Sequence, residues 1–271
     1  MDYQPAWQNF YQEIEKPGEK IDLAKASFSY AQAEYPNLDI RKYLSTLDSI
    51  ASEIQPQLPA ELYPLKVIKV INSYLFDKLD FQGNSHDYYH ADNSFLNKVI
   101  DRKIGIPITL SVVYLEVAKR LDFPMVGIGM PGHFLIRPEF EDAGIFVDAF
   151  NRGEILFEQD CQEKLNQIYQ KPVKLESDLL APISNKQILG RMLNNLKFIY
   201  LHRKDFNKAL ATMNGILKLF PRNVEELRDR GLLYYQINRW QEAALDLRFY
   251  LKIAPNSEDA PMIKILLEKI S

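Results

Sequence analysis

The stretch PGHFLIRPEFEDAGIFVDAF, residues 131–150, decides the fold. It contains two apolar runs, HFLIRP and GIFVDAF, which are typical of two neighbouring antiparallel strands. His133 opens the first run and Asp148 lies near the end of the second. We predict that the two side chains form a hydrogen bond across adjacent strands. Such a pair is suited to act as a catalytic base and its orienting group, which raises the question of a nucleophile.

Helices are predicted immediately before these strands. The segment FLNKVIDRK, residues 95–103, reads as a helix that Asn93 or Ser94 caps and Gly105 ends. Pro107 then begins a second helix in its first turn, where proline is favoured, and this helix extends to about Leu121.

The wider pattern indicates an α+β protein. Apolar residues recur at helical spacing from about Trp7 to Leu79, and MVGIGM, residues 125–130, predicts a third strand of an antiparallel meander. Helices come first and strands follow, without the strict alternation of an α/β fold.

Composition narrows the class of protein. Of the 271 residues, 46 % are hydrophobic and 25 % are charged, which is ordinary for a soluble globular chain. We see no apolar run long enough for a transmembrane helix and no signal peptide in the first residues. Cys161 is the single cysteine, so an internal disulfide and a cysteine-built zinc site are excluded. We expect a cytoplasmic protein without a membrane partner.

Charge divides the chain into two parts. Residues 1–185 carry 18 Lys and Arg against 27 Asp and Glu, whereas residues 186–271 carry 15 against 9. The basic part either binds an acidic partner or is solvated helix surface. Its Lys and Arg are scattered rather than clustered, so we do not expect nucleic acid as a partner.

The basic part is an internal repeat. A register of 34 residues places equivalent residues over each other, namely Phe206 on Trp240, Ala209 on Ala243, Leu217 on Leu251 and Pro221 on Pro255. This period, with small residues at the helix crossing and a closing proline, is the tetratricopeptide signature. The segment SEDAPMIKILLEKI is predicted to form a capping helix. We therefore expect a helical N-terminal region plus core in residues 1–185 and repeats with their cap in residues 186–271.

Several motifs together resemble a known family. FQGN at 81–84, NSFLNKVIDRKIGIPITLSVVYLEVAKRL at 93–121, PGHFLIR at 131–137 and VDAFNRG at 147–153 occur in order. They resemble the SirB-type proteins, a divergent bacterial branch with a transglutaminase-like core fused to tetratricopeptide repeats. The resemblance implies a papain-like core and assigns His133 and Asp148 to the family's histidine and aspartate positions.

The resemblance also identifies a missing group. Active members carry a cysteine at the head of the helix, in a GxC motif that falls here on Gly105-Ile106-Pro107. Pro107 offers neither a nucleophile nor an N–H group. Thr109 and Ser111 are the hydroxyl-bearing candidates on the same helix. Thr109 lies about 200° round the helix from Pro107, and Ser111 lies about 40° round but about 6 Å deeper.

Three functions remain open. The first is a non-catalytic, vestigial transglutaminase-like domain that acts with its repeats as a protein-interaction module, binding a protein or peptide through the repeats and the cleft. The second is a hydrolase or acyl transferase that uses Ser111 or Thr109 with His133 and Asp148. The third is a structural or chaperone-like helper.

We assign no chemical role to the cysteine or to the two histidines upstream of the strands. Cys161 does not head a helix after a glycine turn, and we interpret it as structural or on the surface. His86 and His90, with Asp92, offer at most three metal ligands in a segment with loop composition. We predict no metal and no cofactor, since no phosphate-binding glycine loop is present either.

Overall fold

A computed structural model describes residues 4–140 and 144–270 of the chain. The chain forms two compact units, one ending at Met192 and the other beginning at Leu193. The first unit combines helices with small sheets and the second is helical, so the predicted α+β class with a helical repeat unit is confirmed.

The first unit begins with a helical region. Asp22 and Asp39 each precede a helix and accept hydrogen bonds from backbone N–H groups of its first turn, which satisfies donors that have no partner within the helix. The region consists of α1 (Gln4–Ile14), α2 (Leu23–Ala31), α3 (Ile40–Ile54) and α4 (Pro64–Asn72), which continues into a π-helical turn (Ser73–Lys78).

Two further helices lead to the sheet, and both ends of the first differ from the prediction. α5 (Leu96–Arg102) has Phe95 as its N-cap, while Asn93 and Ser94 lie in the preceding 3-10 turn. Lys103 ends α5 by adopting a left-handed conformation with φ 60°, so the helix has already stopped before Gly105. α6 (Pro107–Arg120) begins at Pro107 as predicted.

Gly105 belongs instead to a short strand pair. β1 (Gln82–Gly83) and β2 (Ile104–Gly105) are parallel, with Gly83 opposite Gly105. A side chain on Gly83 would collide with Phe150, because its Cβ would lie 2.6 Å from the Phe150 carbonyl oxygen. The segment after Asp148 therefore packs directly against this pair.

α6 is the centre of the first unit. Every residue from Pro107 to Ala118 is buried. The helix contacts α2, α3 and α5, and it also contacts β3 (Met125–Ile128) and β4 (Leu135–Pro138). A helix that is buried on all sides needs apolar residues all round, which is why its sequence lacks an obvious polar face.

The main sheet has five strands in the order β6-β5-β4-β3-β7, and all neighbours are antiparallel. The three predicted strands are present as β3, β4 and β5 (Phe146–Asp148). β6 (Glu154–Leu156) and β7 (Pro182–Ile183) were not predicted. The connection between β4 and β5 includes residues 141–143, which lie outside the described residues.

One face of this sheet carries an apolar cluster with α7 (Glu158–Tyr169). Cys161 and Leu165 of α7 are buried there against Ile128 and Leu135. Leu175, Leu179 and Leu180 pack on the same cluster, so the segment that leads to β7 is held against the sheet by its leucines.

The second unit shows the repeat in its backbone. α9 (Phe206–Leu219) and α11 (Trp240–Ile253) have the same length and are offset by the predicted register. The residues before them, Lys204 and Asn238, share a left-handed conformation at the same offset. The other helices are α10 (Val224–Gln236), the predicted capping helix α12 (Ala260–Ile270) and α8 (Asn185–His202), whose residues up to Met192 belong to the first unit. α8 begins five residues before the start that the register predicts.

Replacing Gly83 by alanine tests the close approach at β1. The added methyl group must displace the Phe150 backbone, and we expect a loss of about 1–3 kcal/mol in the free energy of unfolding, the cost typical of overpacking. Chemical denaturation measures it. Gly18→Ala is the matched control, because a Cβ there meets nothing within 4 Å. Equal stability of the two variants would contradict this packing.

Candidate functional site

His133 and Asp148 meet at one end of the sheet. His133 Nε2 lies 2.8 Å from Asp148 Oδ2, which confirms the predicted hydrogen bond. Asp148 ends β5, but His133 precedes β4 rather than lying on it. The tight turn at Pro131-Gly132, with Gly132 at φ 69°, delays the start of the strand, and the His133 N–H bonds the Met130 carbonyl within that turn.

The Asp148 carboxylate is saturated with donors. Its Oδ1 accepts from the backbone N–H groups of Phe150 at 3.1 Å and Asn151 at 3.3 Å. Its Oδ2 accepts from the Asn151 side chain and from Lys164 Nζ, each at 2.8 Å, in addition to His133. The carboxylate therefore caps the turn that follows β5 as well as holding the histidine.

The charge of Asp148 is fixed by these neighbours. Asp148 is 0 % exposed, and burial raises the pKa of its carboxyl group, but the hydrogen bonds and charges of His133 and Lys164 outweigh burial. The pKa of Asp148 is therefore well below its ordinary value. Lys164 compensates part of the negative charge that would otherwise act on the imidazole alone.

The histidine is oriented from two sides. Because the carboxylate can only accept, His133 Nε2 donates the bond, and Nδ1 is the nitrogen that faces away from Asp148. Arg191 fixes the main chain of the same loop, since its guanidinium donates to the carbonyls of Gly129, Met130 and His133 at 2.9 to 3.0 Å. The edge of the Phe150 ring also meets the imidazole, with 6.3 Å between ring centroids.

The sequence did not reveal Lys164 or Arg191 as members of this site. Lys164 lies one helical turn after Cys161 on α7, and Arg191 lies on the helix that opens the repeat region. Neither belongs to a motif. The tertiary fold brings Lys164 to Asp148 and Arg191 to the loop that carries His133.

The two candidate hydroxyls have different surroundings. Thr109 Oγ1 accepts from the Ile106 N–H at 3.1 Å and donates to the Asn93 carbonyl at 2.7 Å. It therefore holds the first turn of α6. Ser111 is also buried, and its Oγ has no hydrogen-bond partner among the described residues. Within that part of the chain neither hydroxyl is hydrogen-bonded to His133.

No thiol stands where the family's chemistry needs one. Pro107 occupies the buried head of α6. Cys161 is enclosed in the apolar cluster under the sheet, and burial raises the pKa of its thiol to about 12, with Asp160 adding to the effect. A thiol of this kind remains protonated and unreactive near neutral pH.

The histidine-rich segment forms turns. His86 and His90 lie outside any helix, and His90 Nδ1 accepts a hydrogen bond from the Asp92 N–H at 3.2 Å. Among the described residues, no group of three or more His, Cys, Asp or Glu side chains is placed to hold a metal ion. None of the described helices is long and apolar enough to span a bilayer.

Comparison with known proteins gives two consecutive matches. Residues 41–194 match the transglutaminase-like superfamily and residues 196–268 match the tetratricopeptide repeat. A UPF0162 protein of Xylella fastidiosa (strain 9a5c) is 35 % identical over 250 residues, covering 91 % of this chain and 89 % of that protein. UPF0162 protein YchA of Escherichia coli K12 is 28 % identical over 240 residues, covering 88 % and 87 %.

A similarity that covers a smaller share of both chains extends to a eukaryotic protein. Human F-box only protein 21 is 29 % identical over 193 residues, which cover 67 % of this chain and 30 % of that protein. No solved structure matches the chain.

Asp148→Asn tests the role of the carboxylate. We expect a loss of about 3 kcal/mol in stability near neutral pH, because Lys164 keeps its charge while its buried partner is gone. The folded-state pKa of Asp148 is depressed, so its stabilisation is present above the ordinary aspartate pKa and fades as pH falls below it. The difference between wild type and variant should thus be smaller at about pH 3 than at about pH 7.

Denaturation at both pH values measures this difference, with Asp178→Asn as the control. Asp178 is exposed, so its substitution should leave stability unchanged at both pH values. A pH-independent effect of Asp148→Asn would show that the ion pair with Lys164 is not what stabilises the turn.

Proposed function

The chain belongs to the transglutaminase-like superfamily and, within it, to the UPF0162 proteins, and on this premise we propose that it is a non-catalytic interaction module that binds a protein or peptide partner. The observation that carries the proposal is the head of α6, where buried Pro107 stands in place of a nucleophile. A proline there can neither attack a carbonyl nor donate an N–H to a developing oxyanion.

The state of the His133–Asp148 pair supports the same proposal. A catalytic aspartate stabilises the imidazolium that forms when histidine takes a proton. Here Lys164 lies 2.8 Å from the same carboxylate oxygen that His133 uses. A permanent cation at that oxygen opposes a second positive charge on the ring, so the pair is better suited to holding its loop and a bound group than to proton transfer.

The repeat unit supplies a surface for a partner. Tetratricopeptide helices bury one face against their neighbours and leave others for binding. In this unit, several large apolar side chains remain exposed, including Phe198, Trp240, Leu245 and Phe249. Exposed aromatic and aliphatic side chains of this kind are typical anchors of protein interfaces.

A serine hydrolase is the second candidate, and one observation favours it. Ser111 Oγ is buried without a hydrogen-bond partner among the described residues, and such a hydroxyl calls for an explanation. Activation would require His133 within hydrogen-bond distance, which the described geometry lacks. Thr109 is a weaker candidate because backbone groups on both sides use its hydroxyl.

Active-site probes separate the two candidates. We expect neither a fluorophosphonate nor iodoacetamide to label the native protein, since Ser111 and Cys161 are both enclosed. Mass spectrometry of the treated chain measures the labelling. The hydrolase predicts fluorophosphonate on Ser111, lost in both Ser111→Ala and His133→Ala. Rapid alkylation of Cys161 that depends on His133 would overturn the non-catalytic proposal.

A partner identified by cross-linking provides the second test. Leu245 is 73 % exposed, so Leu245→Glu should leave the fold intact and weaken partner binding about tenfold, as loss of an apolar anchor does. Leu62→Glu, at a position 45 % exposed in the first unit, is the matched control and should bind normally. Equal affinity of the two variants would exclude this part of the repeat surface, and a covalent change in the partner would exclude a binding-only role.

A further inference from the structure

A cavity lies within the first unit, apart from the His133–Asp148 pair. Its volume is about 550 Å³, within the range of about 300–1,000 Å³ found for small-molecule sites. Its walls are the last turns of α6, the beginning of β3 and the residues Ser184 and Asn185 at the start of α8.

This cavity is at the opposite end of the same elements. Glu116 lines it and lies about 13 Å along α6 from Pro107 at the helical rise per residue. Glu139 also lines it and follows β4, at the other end of the strand from His133, about 20 Å away in extended chain. A ligand in this cavity would not touch the site described above.

The cavity has an apolar wall. Leu23, Leu115 and Ile188 are buried at its surface, and Met125 and Ile183 are half-buried. These side chains offer a surface for the body of an aliphatic ligand.

The polar side is a nearly buried carboxylate. The Glu116 side chain is only 4 % exposed. Its Oε2 accepts from Arg120 Nη1 at 2.6 Å, and among the described residues no donor is bonded to Oε1. A carboxylate oxygen in such a position can accept a further hydrogen bond from a ligand.

The charge balance selects a cation. Arg120 is shared between Glu116 and Asp48, which it binds through Nε at 2.6 Å. One guanidinium thus faces two carboxylates. Glu139 adds a further negative charge on the lining and Lys119 a single positive one. The net charge of these five side chains is negative. The positive charge of an ammonium group would neutralise it at the buried Glu116 oxygen.

We infer that this cavity binds a primary ammonium ion carried on an aliphatic chain, with the ammonium group on Glu116 Oε1 and the chain along Leu115, Met125 and Ile183. The ligand is a small alkylamine. This site is independent of the proposed interaction function, which concerns the repeats and the His133–Asp148 pair.

Titration of the intact protein with hexylammonium tests the inference. Methyl NMR signals of Ile183 and Met125 should shift on titration, and calorimetry should give an affinity about tenfold higher for hexylammonium than for the neutral hexanol, as one charge-assisted hydrogen bond contributes. Hexanoate, which adds a negative charge, should not bind.

Substitution of the carboxylates shows which of them binds the ammonium group. Glu116→Gln should reduce the affinity for hexylammonium about tenfold and leave that for hexanol unchanged. Asp48→Asn removes the other carboxylate on Arg120 without changing the cavity lining, so it should weaken hexylammonium binding less than Glu116→Gln does. Glu139→Gln, at an exposed position, should weaken binding by a smaller factor and remains available if Glu116→Gln does not fold.

Three results would overturn the inference. These are equal affinities for hexylammonium and hexanol, shifts confined to residues outside the cavity, or unchanged binding by both glutamate variants.

Discussion

The burial of α6 on every side is the constraint on which the first unit depends. From Pro107 to Ala118 this helix has no face in water, and a helix without a polar face must be enclosed by other elements. Helices α2, α3 and α5 cover part of it, and strands β3 and β4 cover another part. The enclosed helix also contributes Leu115, Glu116 and Lys119 of its last turns to the wall of the cavity.

Asp148 illustrates how one side chain supports both structure and a possible chemistry. It caps the turn after β5, pairs with Lys164 and orients His133. In an active triad the last of these tasks would dominate. Here the backbone N–H groups and Lys164 give the carboxylate a structural role that does not depend on catalysis. The presence of a histidine–aspartate pair is therefore not by itself evidence of an enzyme.

Much of the architecture could be predicted from sequence, for identifiable reasons. The 34-residue register predicted α9 and α11 because each repeat uses the same packing, and Pro107 marked the start of α6 because proline is favoured there. His133 and Asp148 were predicted as partners from strand pairing. Lys164, Arg191 and Glu116 were not predicted, because contacts between distant elements leave no local pattern. Asn93 was mistaken for a cap, although its carbonyl instead accepts from Thr109.

Pro107 at the head of α6 has a physical rationale in the stability of the helix. The first turn of a helix has N–H groups without intrahelical partners, and in a buried helix each one needs an acceptor. Proline removes one of these donors and brings a backbone angle already suited to the helix. Thr109 satisfies the neighbouring Ile106 N–H. The head of α6 is therefore organised to close a buried helix end, whereas a catalytic head would keep its donors directed at a substrate. Stability of a buried helix start requires acceptors for these N–H groups within the protein, and at the head of α6 the proline ring and the Thr109 hydroxyl meet that requirement.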